Sequence, residues 1–228
     1  MALSRPARAV IFDMDGVLLD TERFYTEATQ QIVGRHGHVF DWSLKSNMVG
    51  RPAIESARYL VEALRLPMSP EDYLAERESM LERMMPTAEA MPGARELVSA
   101  IAARAVPQAV ATSSHAHFFD LKTARHRDWF RTFAAIVLGD DPRVARGKPA
   151  PDIFLVAAGE LGVDPADCVV VEDSPAGVRA ARAAGMQVVG VPYPGLDPAK
   201  LAEADLVLLS LEGAGPGVLG VAEPALPG

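Results

Sequence analysis

The chain has 228 residues, 49% hydrophobic and 23% charged, a composition typical of a globular protein with one sizeable core and room for an insertion. Its 22 basic and 30 acidic residues give a formal charge of −8 without a dense basic cluster, which argues against a nucleic-acid polymer or an anionic membrane as partner. The sequence shows neither a signal peptide nor the run of about 18 apolar residues that a membrane span needs. Its single cysteine, Cys168, excludes an intrachain disulfide framework and is expected in the core of a cytoplasmic protein.

Short β-branched runs alternate along the chain with longer helical patterns. The runs are apolar throughout, which is typical of strands covered on both faces in a parallel sheet. Helices are predicted between them at 92–104, 149–161 and 175–184, each with a proline in its first turn, where no backbone donor is lost. This alternation predicts an α/β domain with a doubly wound parallel sheet. The predicted strands are RAVIF (8–12), PQAVAT (107–112), AAIVL (134–138), DCVVVE (167–172), QVVGV (187–191) and DLVLL (205–209).

The interval between the first two predicted strands breaks this alternation, because it is too long for one crossover. Helices are predicted in it at 21–35, 53–65 and 70–85, the last with Ser69 as its N-cap. We therefore expect an all-helical insertion at residues 20–88, joined by two linkers to a core formed by residues 1–19 and 89–228. The Gly/Pro/Ala-rich stretch 212–228 is expected to be a loosely packed tail.

Four of the predicted strands end in, or lead into, polar side chains. In an open parallel sheet the ligand crevice lies outside the carboxyl ends of the strands, so these groups are expected to share one pocket. Clustered carboxylates need a cation and suit Mg²⁺, whereas hydroxyl, backbone amide and ammonium groups suit phosphate oxygens, so the set indicates phosphoryl transfer. It comprises Asp13 and Asp15 after the first strand, Thr112, Ser113 and Ser114 after the second, Lys148 after the third, and Glu172 and Asp173 after the fourth.

Asp13 and Asp15 are candidates for two different roles. A carboxylate can itself attack phosphorus, and a second acid can protonate the leaving oxygen and then activate the hydrolytic water. The two residues can face one crevice because Gly16 permits a tight turn after them. The five histidines are expected to be surface or packing residues, since no pair has carboxylate company at zinc-like spacing.

The segment IFDMDGVLLDTE resembles the first motif, DxDGxxxDT/S, of the haloacid dehalogenase superfamily of Mg²⁺-dependent aspartate-nucleophile phosphatases. The other three motifs are matched in order by Thr112, by Lys148 and by Glu172 with Asp173. The resemblance covers nearly the whole chain and makes the helical insertion similar to the cap domain of that superfamily. A cap of this kind closes over the substrate, excludes water and provides specificity.

The resemblance also implies a role for each site residue. Asp13 would be the nucleophile and a metal ligand, and Asp15 the general acid/base, with its backbone carbonyl also on the Mg²⁺ ion. Glu22, Arg51 and Ser114 are candidates for substrate contact at the cap or the rim. The remaining assignments are Thr112, the Ser113 amide and Lys148 to the phosphoryl group, and Glu172 and Asp173 to the metal.

Several further stretches, among them DLKTARHRDWF and GKPAPDIFL, resemble the pseudouridine 5′-phosphatase group of this superfamily. This implies a small phosphorylated metabolite as substrate, either pseudouridine 5′-phosphate or a related nucleotide or sugar phosphate. The alternative is a β-phosphoglucomutase, but residues 21–25 lack its histidine and residues 50–53 do not match its GxxR element. A phospho-acceptor signalling domain is the alternative of a different class, although it lacks both a second acid and a cap. We expect a monomer or a weak dimer.

Overall fold

The computed structural model describes residues 3–48 and 53–222. A six-stranded, wholly parallel sheet forms its centre, and each strand lies within one of the predicted apolar runs. The strands are β1 (Ala9–Phe12), β2 (Gln108–Ala111), β3 (Ala135–Val137), β4 (Cys168–Glu172), β5 (Gln187–Gly190) and β6 (Leu206–Val207).

The strand order β3-β2-β1-β4-β5-β6 places β1 between β2 and β4. Phe12, the last residue of β1, pairs with Val110 on one side and Val171 on the other, so the three strands end close to the same level. The order reverses at β1, and the crevice at such a reversal is where doubly wound sheets bind ligands.

Helices lie in the segments between the strands and in the interval before β2. Within the described ranges, no helix is long and apolar enough to cross a membrane. The helices are α1 (Glu22–Gly34), α2 (Trp42–Met48), α3 (Ala53–Leu64), α4 (Pro70–Met84), α5 (Ala94–Ala102), α6 (Ala116–Lys122), α7 (Arg127–Phe130), α8 (Asp152–Leu161) and α9 (Pro175–Ala183).

Hydrophobic clusters cover both faces of the sheet. On one face Phe12 shares a buried cluster with Leu97 of α5. On the other face Ile11 lies in a cluster with Phe154 of α8 and Val178 of α9. Successive residues of β1 therefore point to opposite buried layers, as its unbroken apolar sequence predicts. This arrangement confirms the predicted doubly wound α/β fold.

Two predicted helices begin later than their prolines suggested. The helix expected from residue 92 begins at Ala94, because Gly93 takes a left-handed φ of +80° as its N-cap. The helix expected from residue 149 begins at Asp152, whose carboxylate accepts a hydrogen bond from the Arg146 N–H at 3.1 Å. The residues between form a turn, and that turn carries Lys148 to the edge of the sheet.

Helices α1 to α4 form the predicted all-helical cap and have a hydrophobic core of their own. Ile32, Leu60 and Tyr73 are fully buried in one cluster, and the Tyr73 hydroxyl lies 2.8 Å from Thr29 Oγ1. The sequence did not reveal α2, because none of its residues is buried and it lacks an apolar period. The boundaries of the cap, residues 20–88, stay predictions.

The expected loosely packed tail is wrong for residues 212–222. Leu219 is 0% exposed and Val221 is 2% exposed, and both belong to the cluster on one face of the sheet. The rest of that stretch, 223–228, lies outside the described residues. Cys168 is buried in the core, as expected.

Candidate active site

Asp13 directly follows β1 and is buried at the edge of the sheet, only 6% exposed. Lys148 Nζ lies 2.5 Å from Asp13 Oδ1 and 2.7 Å from Glu172 Oε1, and it also donates to the Ala111 carbonyl at 3.2 Å. Burial raises the pKa of Asp13 to about 7; Lys148 lowers it, but the charges of Glu172 and Asp15 add to the rise. Asp13 therefore lies in a site with more negative charge than its one lysine neutralises.

Asp15, two residues further on, accepts hydrogen bonds from several side chains. Thr21 Oγ1 and Lys122 Nζ lie 2.6 Å from its Oδ1, and Ser114 Oγ and Thr112 Oγ1 lie 2.9 Å and 3.4 Å from its Oδ2. Burial would raise the pKa of Asp15, but the charge of Lys122 and the hydrogen bonds outweigh burial and lower it. The pKa values of the two aspartates are thus shifted in opposite directions.

Lys122 is a site residue that the sequence reasoning missed. It is the last residue of α6, its side chain is 2% exposed, and it also donates to Ser114 Oγ at 2.8 Å and to the Tyr25 hydroxyl at 3.5 Å. Burial lowers the pKa of Lys122, but the contacts with Asp15 and Tyr25 raise it by a larger amount. The net pKa is raised, so the ammonium stays charged. A signal was present, since Lys122 follows the buried Phe118 by four residues and shares its helix face.

The residues directly after β2 lie close to Asp15. Thr112 is fully buried, and its Oγ1 accepts a hydrogen bond from the Ser114 N–H at 3.1 Å. Ser113 is exposed and lines the crevice that contains Asp13. The structure therefore brings Thr112, Ser113 and Ser114 together with the two aspartates, as predicted, with the Thr112 hydroxyl turned to its own loop and to Asp15.

The two acids at the end of β4, Glu172 as its last residue and Asp173 directly after it, have different surroundings. Both oxygens of Glu172 are occupied, because Oε1 accepts from Lys148 and Oε2 accepts from the Ser174 N–H at 2.8 Å and hydroxyl at 3.0 Å. Asp173 is 7% exposed and has no hydrogen bond or ion pair with any residue that the structure describes. Burial, together with Glu172 and Asp13, raises its pKa well above the usual range. Asp173 is thus a buried carboxylate without a compensating donor.

Gly16 allows Asp173 to approach the turn that carries the two aspartates. Its φ is +77°, and a Cβ atom there would lie 2.1 Å from Asp173 Oδ2. Only glycine fits both the backbone angle and the contact without displacing Asp173. The turn therefore requires the glycine that the sequence reasoning placed there.

The donor set of this edge suits a hard cation such as Mg²⁺. Asp13 and Asp173 offer buried carboxylate oxygens, and burial first, then the neighbouring negative charges, raise their pKa values. In the described part of the chain, no three histidine, cysteine or acidic side chains by themselves form a metal-binding group. An ion here would therefore complete its shell with backbone carbonyl, water or phosphate oxygens.

A cavity of about 280 Å³ opens at this edge, and two of its walls come from outside the predicted motifs. Glu22, a predicted substrate contact, reaches it from α1 and lies 3.4 Å from Lys45 of the cap. Tyr193, which sequence reasoning missed, reaches it from the loop after β5. Arg51, the other predicted cap contact, lies outside the described residues. The lining residues are Asp13, Asp15, Glu22, Ser113, Lys148, Glu172, Asp173, Ser174 and Tyr193.

The cap contacts the core directly beside this cavity. Trp42 of α2 makes an edge-on contact with the Tyr193 ring, with centroids 6.5 Å apart, and Lys45 Nζ lies 4.8 Å from the same ring. Helix α2 therefore contacts the core at Tyr193, a residue that lines this cavity.

A helical cap over an acidic, lysine-containing crevice of a doubly wound sheet is the architecture of a capped phosphatase. Residues 7–185 match the haloacid dehalogenase-like hydrolases, and the chain belongs to that family. It is 50% identical over 207 residues to (DL)-glycerol-3-phosphatase 2 of Arabidopsis thaliana, with 89% of this chain and 86% of the relative covered. It is 49% identical over 204 residues to a Drosophila melanogaster protein named "Probable pseudouridine-5'-phosphatase", with 88% of each covered.

The fold is similar to that of solved members of the family. A HAD family hydrolase from Deinococcus radiodurans R1, crystallised with bound phosphate and sodium, superposes with a TM-score of 0.79 at 30% identity. The match covers 96% of this chain and 100% of that structure. Together with the phosphatase names of its relatives, the family makes this chain an enzyme, a phosphatase of small phosphorylated metabolites.

Proposed function

We propose that the protein hydrolyses a phosphomonoester in two steps through an aspartyl-phosphate on Asp13, with Mg²⁺ as cofactor. The observation that carries this proposal is the arrangement of the two aspartates in one cavity with Lys148. Lys148 Nζ contacts Asp13, whereas Asp15 accepts hydrogen bonds from Thr21 and Ser114, so one carboxylate lies beside a cation that can hold phosphoryl oxygens and the other is held in place to exchange a proton.

In the first step an Asp13 carboxylate oxygen attacks phosphorus and the bond to the leaving oxygen breaks. Lys148, which contacts Asp13, would also neutralise the phosphoryl oxygens, and Glu172 positions its ammonium from the other side. Asp15 delivers a proton to the leaving oxygen. The pKa of Asp15 is lowered in the free protein. A phosphate dianion that binds beside Asp15 would raise this pKa by like-charge repulsion, so Asp15 would take up a proton when the substrate binds.

In the second step a water molecule attacks the phosphorus of the aspartyl-phosphate and Asp15 accepts its proton. Phosphate then leaves and the Asp13 carboxylate is restored. For this step the ionised form of Asp15 is needed, and Lys122, Thr21 and Ser114 hold that form in place.

Asp13 and Asp173 are the side chains that we propose as Mg²⁺ ligands, with the Asp15 backbone carbonyl as a third. When bound, the cation would neutralise the carboxylates and withdraw charge from the phosphoryl group. Glu172 was also proposed as a ligand from the sequence. Its occupied oxygens favour a role in positioning Lys148 and the first turn of α9.

The names of the relatives suggest two substrate classes. Pseudouridine 5′-phosphate is one, and glycerol 3-phosphate is the other. A β-phosphoglucomutase activity on β-glucose 1-phosphate is the alternative reaction, and a phospho-acceptor signalling domain would hold phosphate without multiple turnover.

Phosphate release from a panel of these phosphomonoesters, with Mg²⁺ and with EDTA, tests the proposal. We expect Mg²⁺-dependent multiple turnover that Asp13→Asn reduces by at least about three orders of magnitude, as expected when a nucleophile that acts as a unit with its partners is removed. Asp164→Asn, far from the site on an exposed turn, is the matched control. Turnover by Asp13→Asn, or full activity in EDTA, would refute the nucleophile or the metal assignment respectively.

A further inference from the structure

A second cavity, of about 380 Å³, lies between the cap and the core beside the reaction site. It shares Asp15 and Ser113 with the cavity that contains Asp13. If Asp15 protonates the leaving oxygen, as the proposed function requires, the group attached to that oxygen extends from Asp15 into this space. The assignment of this space to the leaving group rests on that proposed function.

Arg77 of α4 lies on the wall of this cavity, and none of the described residues forms an ion pair or a side-chain hydrogen bond with it. Its guanidinium carbon lies 5.8 Å from the Tyr25 ring centroid and 5.5 Å from that of Tyr73. Its Nε is buried without a hydrogen-bond partner, and no carboxylate in the described ranges forms an ion pair with it. By contrast, the other cation on this wall, Lys122, is neutralised by Asp15.

An arginine beside two aromatic rings, whose guanidinium has no hydrogen-bond partner among the described residues, is suited to bind acceptor oxygens. Its N–H groups form a rigid fork that matches two acceptors in one plane, whereas a neutralised lysine offers no such pair. Because the Nε itself is buried, a ligand in the cavity would meet the two terminal amino groups of Arg77. The geometry of Arg77 therefore favours a ligand with planar carbonyl acceptors.

The other walls of the cavity favour a flat, partly apolar group of moderate size. Tyr25 and Phe118 provide aromatic rings, and Leu74 and Leu81 provide aliphatic surface. A volume of 380 Å³ lies within the usual range of small-molecule sites and equals roughly a dozen water molecules at about 30 Å³ each. A three-carbon polyol has about half that number of heavy atoms, and it has no apolar face to place against these walls.

We propose that this cavity holds the leaving group of the substrate, and that Arg77 selects a planar leaving group with carbonyl acceptors, as in a pyrimidine nucleoside, over a three-carbon polyol. Arg77 is thus a specificity-determining residue in the cap. Asp13 and Asp15 in the core carry out the reaction. The cap therefore determines which phosphomonoester is hydrolysed and does not alter the mechanism.

The test compares kcat/KM for uridine 5′-phosphate or pseudouridine 5′-phosphate with kcat/KM for glycerol 3-phosphate in Arg77→Ala. Loss of a charge-assisted hydrogen bond predicts a fall of roughly 10- to 100-fold for the nucleoside phosphates. We expect less than about a threefold change for glycerol 3-phosphate. Arg83→Ala is the matched control, because Arg83 lies on the same helix, is exposed, and its side chain donates a hydrogen bond to Ser79 Oγ on that helix. It should leave both values unchanged.

Two further variants separate recognition from packing. Arg77→Lys keeps the charge but loses the fork, and Arg77→Gln keeps a donor without the charge, so both should retain the fold if Arg77→Ala melts early. Each should impair the nucleoside phosphates more than glycerol 3-phosphate. Equal loss on both substrates in all three variants, with unchanged melting temperatures, would overturn the selection by Arg77.

The outcomes for the wild-type protein distinguish this inference from the proposed function. If the protein releases phosphate from glycerol 3-phosphate but not from any nucleoside phosphate, the phosphatase mechanism stands and the role of Arg77 is refuted. If it hydrolyses no phosphomonoester, the proposed function itself fails. Inhibition by free uridine that Arg77→Ala weakens, with inhibition by inorganic phosphate unchanged, would support the leaving-group cavity independently of turnover.

Discussion

Replacing Lys122 by methionine removes the one positive charge that contacts Asp15 among the described residues while keeping most of the length of the side chain. The Lys122 side chain is 2% exposed, and its Nζ lies 2.6 Å from Asp15 Oδ1 and 2.8 Å from Ser114 Oγ. Breaking a buried ion pair by removing one partner costs about 3–5 kcal/mol, because it leaves the other charge buried and unpaired. For a domain of this size we expect the melting temperature to fall by roughly 6–20 °C at pH 7.5.

The pH dependence of this loss follows from the direction of the Asp15 pKa shift. In the wild type the pKa of Asp15 is lowered, so the group stabilises the fold above its unfolded pKa, and that stability is lost as the pH falls through the folded pKa. Without Lys122, burial dominates and raises that pKa. The difference in stability between wild type and Lys122→Met should therefore be largest at neutral and alkaline pH and should shrink toward pH 4.

Activity gives a second readout that packing damage alone would not move. Because the second step needs ionised Asp15, the acidic limb of the pH–kcat profile should shift to higher pH in Lys122→Met. Lys200→Met, at an exposed lysine, is the control and should match the wild type. In the double variant Lys122→Met/Asp15→Asn, the stability loss should be smaller than the sum of the single losses, by up to about 3 kcal/mol. An unshifted acidic limb and additive losses would refute the electrostatic role of Lys122.

Three other predictions concern the turn, the cap and the cation. Gly16→Ala should displace Asp173, because the new Cβ would lie 2.1 Å from Asp173 Oδ2 at a φ of +77°. The Mg²⁺ concentration for half-maximal activity should therefore rise, and an unchanged concentration would contradict this contact. Tyr73→Phe should cost about 1 kcal/mol by removing the buried 2.8 Å contact with Thr29, lowering the melting temperature by roughly 2–4 °C, while kcat stays the same. The pKa of Asp13 is raised to about 7 in the metal-free fold. Asp13 therefore stabilises this fold fully at a pH below the ordinary aspartate pKa, and progressively less as the pH rises through 7. Mg²⁺ should therefore raise the melting temperature more at pH 8 than at pH 5, and equal increments in a calorimetric comparison would refute this.

The sequence predicted the parts of the site that the parallel sheet brings together. Asp13 and Lys148 follow two different strands and Glu172 ends a third. A parallel sheet places the carboxyl ends of all its strands at one edge, so the strand assignments alone predict that these residues meet. The unbroken apolar runs made those assignments possible, since a strand buried on both faces has no polar alternation.

The parts that the sequence did not predict depend on helix orientation. Lys122 meets Asp15 across more than a hundred residues, and only the angle of a seven-residue helix decides that its side chain points inward. Tyr193 lies in a loop, and α2 has no buried residue, so neither has a periodic pattern. In the sequence, Arg77 has the pattern of a charged residue on an exposed helix face. Only the three-dimensional structure shows that its Nε has no hydrogen-bond partner among the described residues.

A hydrogen bond joins Asp15, the proposed proton carrier, to the residue that precedes the cap. Asp15 accepts from Thr21 Oγ1 at 2.6 Å, and α1 of the cap begins at the next residue, Glu22. The two connections between cap and core are themselves joined, since the Asp20 N–H donates to the Glu89 carbonyl at 2.9 Å. Thr21 therefore joins the beginning of α1 to the carboxylate of Asp15, and the position of the first cap helix is coupled to the orientation of the proposed proton carrier.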